Sequence, residues 1–261
     1  MIFTDPPYNV PIDGHVSGLG RHQHREFAMA SGEMSPDAFT AFLSSSFAHL
    51  VAHSKDGAIH YVCMDWRHIR ELMAAGDAHY TELKNLCVWA KTNGGMGSLY
   101  RSQHELVFVF KAGRAAHINN VALGRYGRNR TNLWSYAGAN VFGSARDDAL
   151  EMHPTVKPVD LVHDAILDCS QRGDLILDPF AGSGTTLVAA HKAGRRGYGV
   201  EIDPTYCDVI VQRLEKACGE HAVLAESSQT FAELTALREQ SGPDSLSSRM
   251  GEKTPANEAR S

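Results

Sequence analysis

The stretch Leu175-Ile176-Leu177-Asp178-Pro179-Phe180-Ala181-Gly182-Ser183-Gly184-Thr185-Thr186 decides the fold class. Its apolar start reads as a short buried strand over residues 175–177, the two glycines as a turn, and Thr185 as the opening of a helix over 185–193. Glycines at such a turn let a ligand approach the backbone, and the free N–H groups of a helix N-terminus favour an anionic group. The pattern is not G-x-G-x-x-G, and without Gly-Lys-Ser/Thr it is not a phosphate-binding P-loop. Glu201 follows Gly182 by 19 residues. That places it at the end of the next expected strand, 197–202, where a carboxylate can accept hydrogen bonds from ribose hydroxyls. Strand, turn, helix and acid in this order favour a nucleoside ligand over a turn built only for close packing.

Working outward, a helix is expected over 206–217 and another over 158–169, with Pro158 near its start. This βαβα rhythm predicts an α/β protein with a mostly parallel sheet and helices on both faces. Further strands read at 1–4, 58–63, 86–90 and 106–110, the last two separated by a Gly-rich turn at 94–98. Ser35-Pro36-Asp37 opens a helix whose apolar positions are Phe39, Phe42, Leu43, Phe47 and Leu50, and 67–75 reads as another. Residues 9–33 and 112–152 have no sustained period, which marks long loops of the kind that are usually functional or disordered. From 226 the chain turns polar. One short helix is expected near 231–238, in a tail otherwise read as disordered.

The 261 residues carry a net charge of −5, with 43% hydrophobic and 21% charged residues, ordinary values for a globular protein. No apolar run approaches the roughly 18 residues needed to cross a bilayer. The first residues have neither a basic region nor an apolar core, so secretion is not signalled and a cytoplasmic location is expected. Five cysteines without a C-x-x-C pair argue against a zinc ribbon or a disulfide framework. His15, His22 and His24 have no ligand partners at metal-binding spacing, so no metal site is expected. The charge is uneven: Lys91 to Ser135 holds seven basic residues and one acid, Glu105, a local +6 in an acidic chain. Such a segment can lie against phosphates.

Asp5-Pro6-Pro7-Tyr8 follows the first strand. Two prolines in a row remove two backbone donors and leave nearby carbonyls free to accept from a ligand. An exocyclic amine of adenine or cytosine needs acceptors for both its hydrogens before its lone pair can attack an electrophilic methyl group. The Asp5 carboxylate and Pro6 carbonyl suit that need, and the Tyr8 ring can stack on a base. A rigid turn with Tyr8 in the core is the bland alternative.

Taken together, Asp5-Pro6-Pro7-Tyr8, His153-Pro154-Thr155-Val156-Lys157-Pro158 and the Asp178 to Thr186 stretch resemble the DNA amino-methyltransferases. These enzymes move a methyl group from S-adenosylmethionine to adenine N6 or cytosine N4. The catalytic segment precedes the cofactor segment, the permuted order of the family's beta class, which includes restriction–modification, phage and cell-cycle enzymes. The resemblance implies a Rossmann-like fold acting on double-stranded DNA. It assigns Asp5, Pro6, Pro7 and Tyr8 to the flipped base, and Asp178, Pro179, Phe180, Gly182, Ser183, Gly184 and Thr185 to the cofactor. Thr155 and Lys157 would lie near the cofactor, and Glu201 on its ribose. Residues 1–111 and 153–225 would be the catalytic and cofactor parts of one domain, 112–152 a target-recognition insert, and 226–261 the tail. Within the insert, Arg125, Arg128, Asn129, Arg130 and Asn132 suit phosphates or base edges.

Asp rather than Ser in the catalytic segment favours adenine N6 over cytosine N4. No cysteine stands near that segment to serve as the nucleophile of carbon-5 methylation. Relatives carry a further segment with a Gly-Asp pair before the catalytic strand. Here only four residues precede Asp5, so the chain is expected to be incomplete as an enzyme. A rival reading is therefore a truncated, catalytically weak DNA- or nucleoside-binding module of the same fold. A nicotinamide-dependent oxidoreductase would need the absent G-x-G-x-x-G and would leave Asp-Pro-Pro-Tyr unexplained.

Overall fold

Only three residues, Ile2–Thr4, form β1, yet this strand is held on both sides. It pairs in parallel with β2, Ala58–Met64, and in parallel with β6, Leu175–Asp178. The computed structural model describes residues 1–11, 29–95, 99–138 and 156–241. These fall in two units, Met1–Cys218 and Gly219–Ser261. In the first unit the remaining strands are β3 (Glu82–Ala90), β4 (His104–Ala112), β5 (Leu133–Ser135) and β7 (Arg196–Gly199). Among the described residues the sheet order is β5-β3-β4-β2-β1-β6-β7. Strand β4 alone runs against its neighbours β2 and β3, and the other pairings are parallel. The expected Rossmann-like, mostly parallel sheet is what the chain forms.

Both faces of the sheet are covered, which is why its central strands read as nearly unbroken apolar runs. Helices α1 (Pro36–Ala52) and α2 (Ile69–His79) cover one face. There Phe39, Leu43, Phe47 and Leu72 join Val62, Met64, Phe108 and Phe110. Helix α1 starts where expected, because Ser35 caps the Ala38 N–H and Pro36 needs no donor at the first position. Helix α2 approaches β4 closely at Gly76, where a Cβ would come within 2.8 Å of the Phe110 ring. It runs four residues beyond the expected Ala75 and is preceded by a 3-10 turn at Trp66–His68, capped by Asp65. Helices α3 (Val159–Cys169) and α4 (Thr185–Lys192) cover the other face. There Leu161, Val162, Ala165, Ile166 and Ala189 meet Tyr61, Cys63, Trp89 and Val107. Helix α5, Pro204–Cys218, packs Ile210 against Ala181 and Leu187.

In the second unit, helix α6 (Phe231–Ser241) extends slightly past the expected 231–238. Thr230 and Glu233 close its start with a capping box: Thr230 N donates to the Glu233 carboxylate at 2.8 Å, and Glu233 N donates to Thr230 Oγ1 at 3.2 Å. The rest of the expected tail, 242–261, lies outside the described residues, as does 12–28 of the loop expected at 9–33.

Within the stretch expected to be irregular, β5 adds a short parallel strand to β3, with Trp134 buried. The preceding chain is tied to α3. Arg128 and Arg130, read from sequence as phosphate or base-edge contacts, are instead engaged with carboxylates inside the chain. Arg128 donates to Asp168 at 2.8 and 3.0 Å and to Asp164 at 3.2 Å, and Arg130 to both acids at 3.2 Å. Asn120 also donates to the Leu167 and Ser170 carbonyls at the end of α3. Arg125, Asn129 and Asn132 are exposed. Asn132 pairs through its carbonyl with Val88 N.

Asp168 is 5% exposed and accepts from both guanidiniums. Asp168→Ala should therefore lower the unfolding free energy by about 2 kcal/mol. Hydrogen bonds to charged groups contribute roughly 1.5–3 kcal/mol, reduced here because the arginine side chains keep some access to water. Urea unfolding should show a lower midpoint with unchanged slope, while Arg125→Ala stays within about 0.5 kcal/mol of the parent. Equal midpoints for Asp168→Ala and the parent would mean that this anchoring is not what holds the segment.

Candidate active site

At the ends of adjacent parallel strands β1 and β6 the chain turns into Asp5-Pro6-Pro7-Tyr8 and Pro179-Phe180-Ala181-Gly182. The Thr4 hydroxyl donates to Asp178 Oδ1 at 2.9 Å and joins the two strand ends directly. Phe180 N donates to the same oxygen at 3.1 Å, turning the chain sharply after β6. Gly182 and Gly184 follow with φ of 51° and 78°, a backbone that a side chain would strain. Helix α4 starts immediately after Gly184, so its first N–H groups face the turn. Arg213 from α5 braces the turn, donating to the Ser183 carbonyl at 2.5 Å and to Ser183 Oγ at 2.7 Å.

Glu201 stands just beyond β7, which ends at Gly199 rather than at the expected 202. Its carboxylate organises the next turn: Oε2 accepts Gly182 N at 2.7 Å, and Oε1 accepts Ile202 N at 2.9 Å and Asp203 N at 3.0 Å. A carboxylate oxygen has two acceptor positions, so Oε2 can accept a second hydrogen bond.

These elements enclose a cavity of about 240 Å³. Asp5, Pro6, Pro7, Tyr8 and Lys157 line one side. Asp178, Pro179, Phe180, Gly182, Ser183, Thr185 and Glu201 line the other. Gly184 lies behind that wall, packed near Ile210, and Thr155 lies outside the described residues. The apolar side chains Val200, Ile202 and Tyr206 also line the cavity, although they belong to none of the sequence motifs. An apolar slot beside a carboxylate with a spare acceptor, next to a helix N-terminus, fits the adenine, ribose and carboxylate parts of S-adenosylmethionine.

Lys157, expected near the cofactor, reaches the other wall. Its ammonium bonds Asp5 Oδ2 and lies 2.9 Å from Glu105 Oε2. The Tyr8 hydroxyl is 2.6 Å from Asp5 Oδ1, 3.2 Å from Glu105 Oε2 and 3.3 Å from Lys157 Nζ. Lys91 bonds the other Glu105 oxygen. Burial raises the Asp5 carboxyl above its ordinary value, while Lys157 and Tyr8 act the other way. Burial also opposes the charge of Glu105, but Lys157 and Lys91 hold it well below the usual range. The Pro6 carbonyl accepts no hydrogen bond among the described residues. Neither Glu105 nor Lys91 belonged to a recognised motif. The available signal was Glu105 itself, the one acid among seven basic residues. Among the described residues no group of three or more His, Cys, Asp or Glu is placed to hold a metal ion, and no helix is long and apolar enough to cross a membrane.

A family model described as DNA methylase, covering adenine-N6 and cytosine-N4 enzymes, matches residues 1–212. The chain belongs to this DNA methylase family. The type II methyltransferase M.HpaI of Haemophilus parainfluenzae is 26% identical over 235 residues, covering 82% of the chain and 68% of that protein. M.ScaI of Streptomyces caespitosus is 40% identical over 91 residues, which are 34% of the chain and 29% of M.ScaI. The chain thus matches less than a third of the length of M.ScaI. Among solved structures, the PvuII cytosine-N4-specific DNA methyltransferase superposes with a TM-score of 0.62 at 16% identity, covering 84% of the chain and 83% of that structure. The M1.HpyAVI–SAM complex superposes with a TM-score of 0.59 at 19% identity, covering 82% and 87%. At these identities the superpositions establish the fold.

Burial pushes Asp178 up to about 6, against the hydrogen bonds from Thr186, Phe180 and Thr4. A carboxyl raised in the folded chain binds its proton more tightly there than when unfolded. Its contribution to stability is therefore full below about 4 and is lost as pH rises through about 6. Two pH units correspond to about 3 kcal/mol. The stability of the wild type relative to Asp178→Asn should fall by that order between pH 4 and 7, measured by urea unfolding. A difference that does not vary with pH would remove the burial argument for Asp178.

Proposed function

We propose that the chain methylates an exocyclic amine of a base in double-stranded DNA, with S-adenosylmethionine as donor and adenine N6 as the favoured target. The observation that carries this reading is a single cavity with two unlike walls. One wall presents the Asp5 carboxylate and the open Pro6 carbonyl, and the other presents the glycine turn, the α4 N-terminus and Glu201. When bound, S-adenosylmethionine supplies an electrophilic methyl group.

The chain's own residues prepare the acceptor. Asp5 and the Pro6 carbonyl take hydrogen bonds from the two amine hydrogens, which draws the nitrogen lone pair out of conjugation with the ring. Tyr8 faces the cavity and borders the space a flipped base would enter. As the amine gains the methyl group it loses a proton, and the ionised Asp5 stands where that proton leaves. Lys157 keeps Asp5 aimed and opposes its protonation. Asp178 ionises at some cost when buried, and a cationic ligand beside it offsets that cost. The insert at 112–152 is read as the target-recognition part, with Arg125 exposed and available to phosphates. The type II relatives support a place among restriction–modification methyltransferases, and a cytoplasmic location follows from that role.

The test is single-turnover transfer of labelled methyl from S-adenosylmethionine to duplex DNA of mixed sequence, followed by digestion and mass spectrometry. N6-methyladenine is expected. N4-methylcytosine would overturn the adenine assignment, and no methylated base would favour the binding-module reading. Asp5→Ala should lose at least about 10²-fold in rate, the scale for removing one well-placed electrostatic contact, with cofactor affinity unchanged by calorimetry. Undiminished transfer would remove Asp5 from the chemistry.

A further inference from the structure

Two carboxylates and two ammonium groups meet behind the catalytic tetrapeptide, and the sheet explains how. In the antiparallel β3–β4 pair Glu105 stands opposite Trp89, and Lys91, two residues on from Trp89, points to the same face. Lys91 lies 4.7 Å from the Trp89 ring centre and Lys157 lies 6.0 Å from it, so one indole supports both lysines. Glu105 is thereby aimed at the groups that bracket Asp5. Its Oε2 lies 2.9 Å from the Lys157 ammonium and 3.2 Å from the Tyr8 hydroxyl, the same two groups that occupy the two oxygens of Asp5. Lys91 binds the outer oxygen of Glu105 and, with 27% of its side chain exposed against 7% for Lys157, stands at the solvent end of the chain of charges.

We propose that Glu105 and Lys91 are positioning residues for the reaction at Asp5. Glu105 holds Lys157 and Tyr8 in register with the Asp5 carboxylate, and Lys91 neutralises Glu105 from outside. This rests on the reading of Asp5 as the acceptor of the target amine. Fold stability alone does not call for the arrangement, because a buried ion pair gains little over well-packed apolar residues of similar volume. The geometry instead gives Asp5 two opposed influences. Glu105 shares Lys157 with Asp5 and places a second negative charge nearby, so Asp5 is a better proton acceptor than Lys157 alone would leave it. Lys91 limits that effect. The other groups facing Asp5 are Tyr8, the Cys63 thiol on β2, which burial keeps neutral, and Asp178 on β6.

The two neighbours should therefore move Asp5 in opposite directions. Carbon-13 NMR of aspartate-labelled full-length chain reads the Asp5 titration, its signal assigned by loss in Asp5→Asn and that of Asp178 by loss in Asp178→Asn. Glu105→Gln should shift the Asp5 midpoint down, Lys91→Met should shift it up, and Lys91→Arg should leave it in place. In methyl transfer, the acid limb of the kcat profile should move the same way in each variant. Glu105→Gln should lower kcat by about 10-fold or more with the cofactor KM within about 2-fold, the pattern of a contact that matters in the transition state. Midpoints that stay put, or that move in the same direction in Glu105→Gln and Lys91→Met, overturn the proposal whatever the transfer rate. Should Glu105→Gln fail to fold, the comparison of Lys91→Met with Lys91→Arg decides alone, since this side chain is partly exposed. Opposed midpoints in a chain that transfers no methyl to any DNA would support the coupling while overturning the functional reading.

Discussion

The parallel pairing of β1 with both β2 and β6 is the constraint on which the rest of the site depends. Asp5 and Asp178 are separated by most of the chain, yet β1 and β6 are adjacent in the sheet and end at the same level. The Thr4–Asp178 hydrogen bond closes the gap at that level. Open α/β sheets place ligands beyond the carboxyl ends of their parallel strands, and here two turns of different chemistry share one such crevice. A permuted order of segments leaves this unchanged, because the crevice depends on which strands are neighbours in space and not on which comes first. The three residues of β1 suffice because Ile2, Phe3 and Thr4 are all fully enclosed between neighbours and covering helices.

Clustering four charges behind one wall of the cavity, three of them largely buried, is costly unless each finds a partner. Alternation solves the problem: Asp5, Lys157, Glu105 and Lys91 form a sequence of opposite neighbours with no net charge. Each inner group touches two of the others, so none is held in a single exclusive pair. The Asp5 carboxylate is fixed in direction by Tyr8 and Lys157 while its basicity is maintained by burial and by Glu105. On the proposed reading Asp5 accepts an amine hydrogen, and the direction and basicity that role needs come from different neighbours.

Much of this was legible in the sequence because it depends on local chemistry. The strand–turn–helix at Leu175 to Thr186, the cap at Ser35, and the strand ending in Asp-Pro-Pro-Tyr are all signals confined to a few residues. Strand β5 was missed because it has three residues and one inward side chain, Trp134, too little for a period to show. Lys157 reads as a cofactor neighbour from its sequence context, and its ammonium is bonded to Asp5 and Glu105, residues distant in sequence, so its pairing is a property no single stretch contains. Glu105 lay in an apolar strand with no motif around it. Its role arises from the register of β3 against β4, a property of two strands together that no single stretch contains.

Charge shows most clearly where linear and spatial readings part. In sequence, Lys91 to Ser135 is a basic segment suited to phosphates. In space, Lys91 is paired with Glu105, and Arg128 and Arg130 with Asp164 and Asp168. Asp164 and Asp168 lie 5 and 9 residues after Val159, the first residue of α3, or about 8 and 14 Å along the helix at 1.5 Å per residue. The two arginines thus anchor a connecting segment towards the far end of α3. Arg101 donates to the Gly94 and Gly95 carbonyls that follow β3. A guanidinium fixed by two carboxylates is a poor phosphate ligand, since a phosphate must displace partners of the same sign and geometry. On the proposed reading, any phosphate contact by this segment would fall to exposed members such as Arg125 rather than to Arg128 and Arg130.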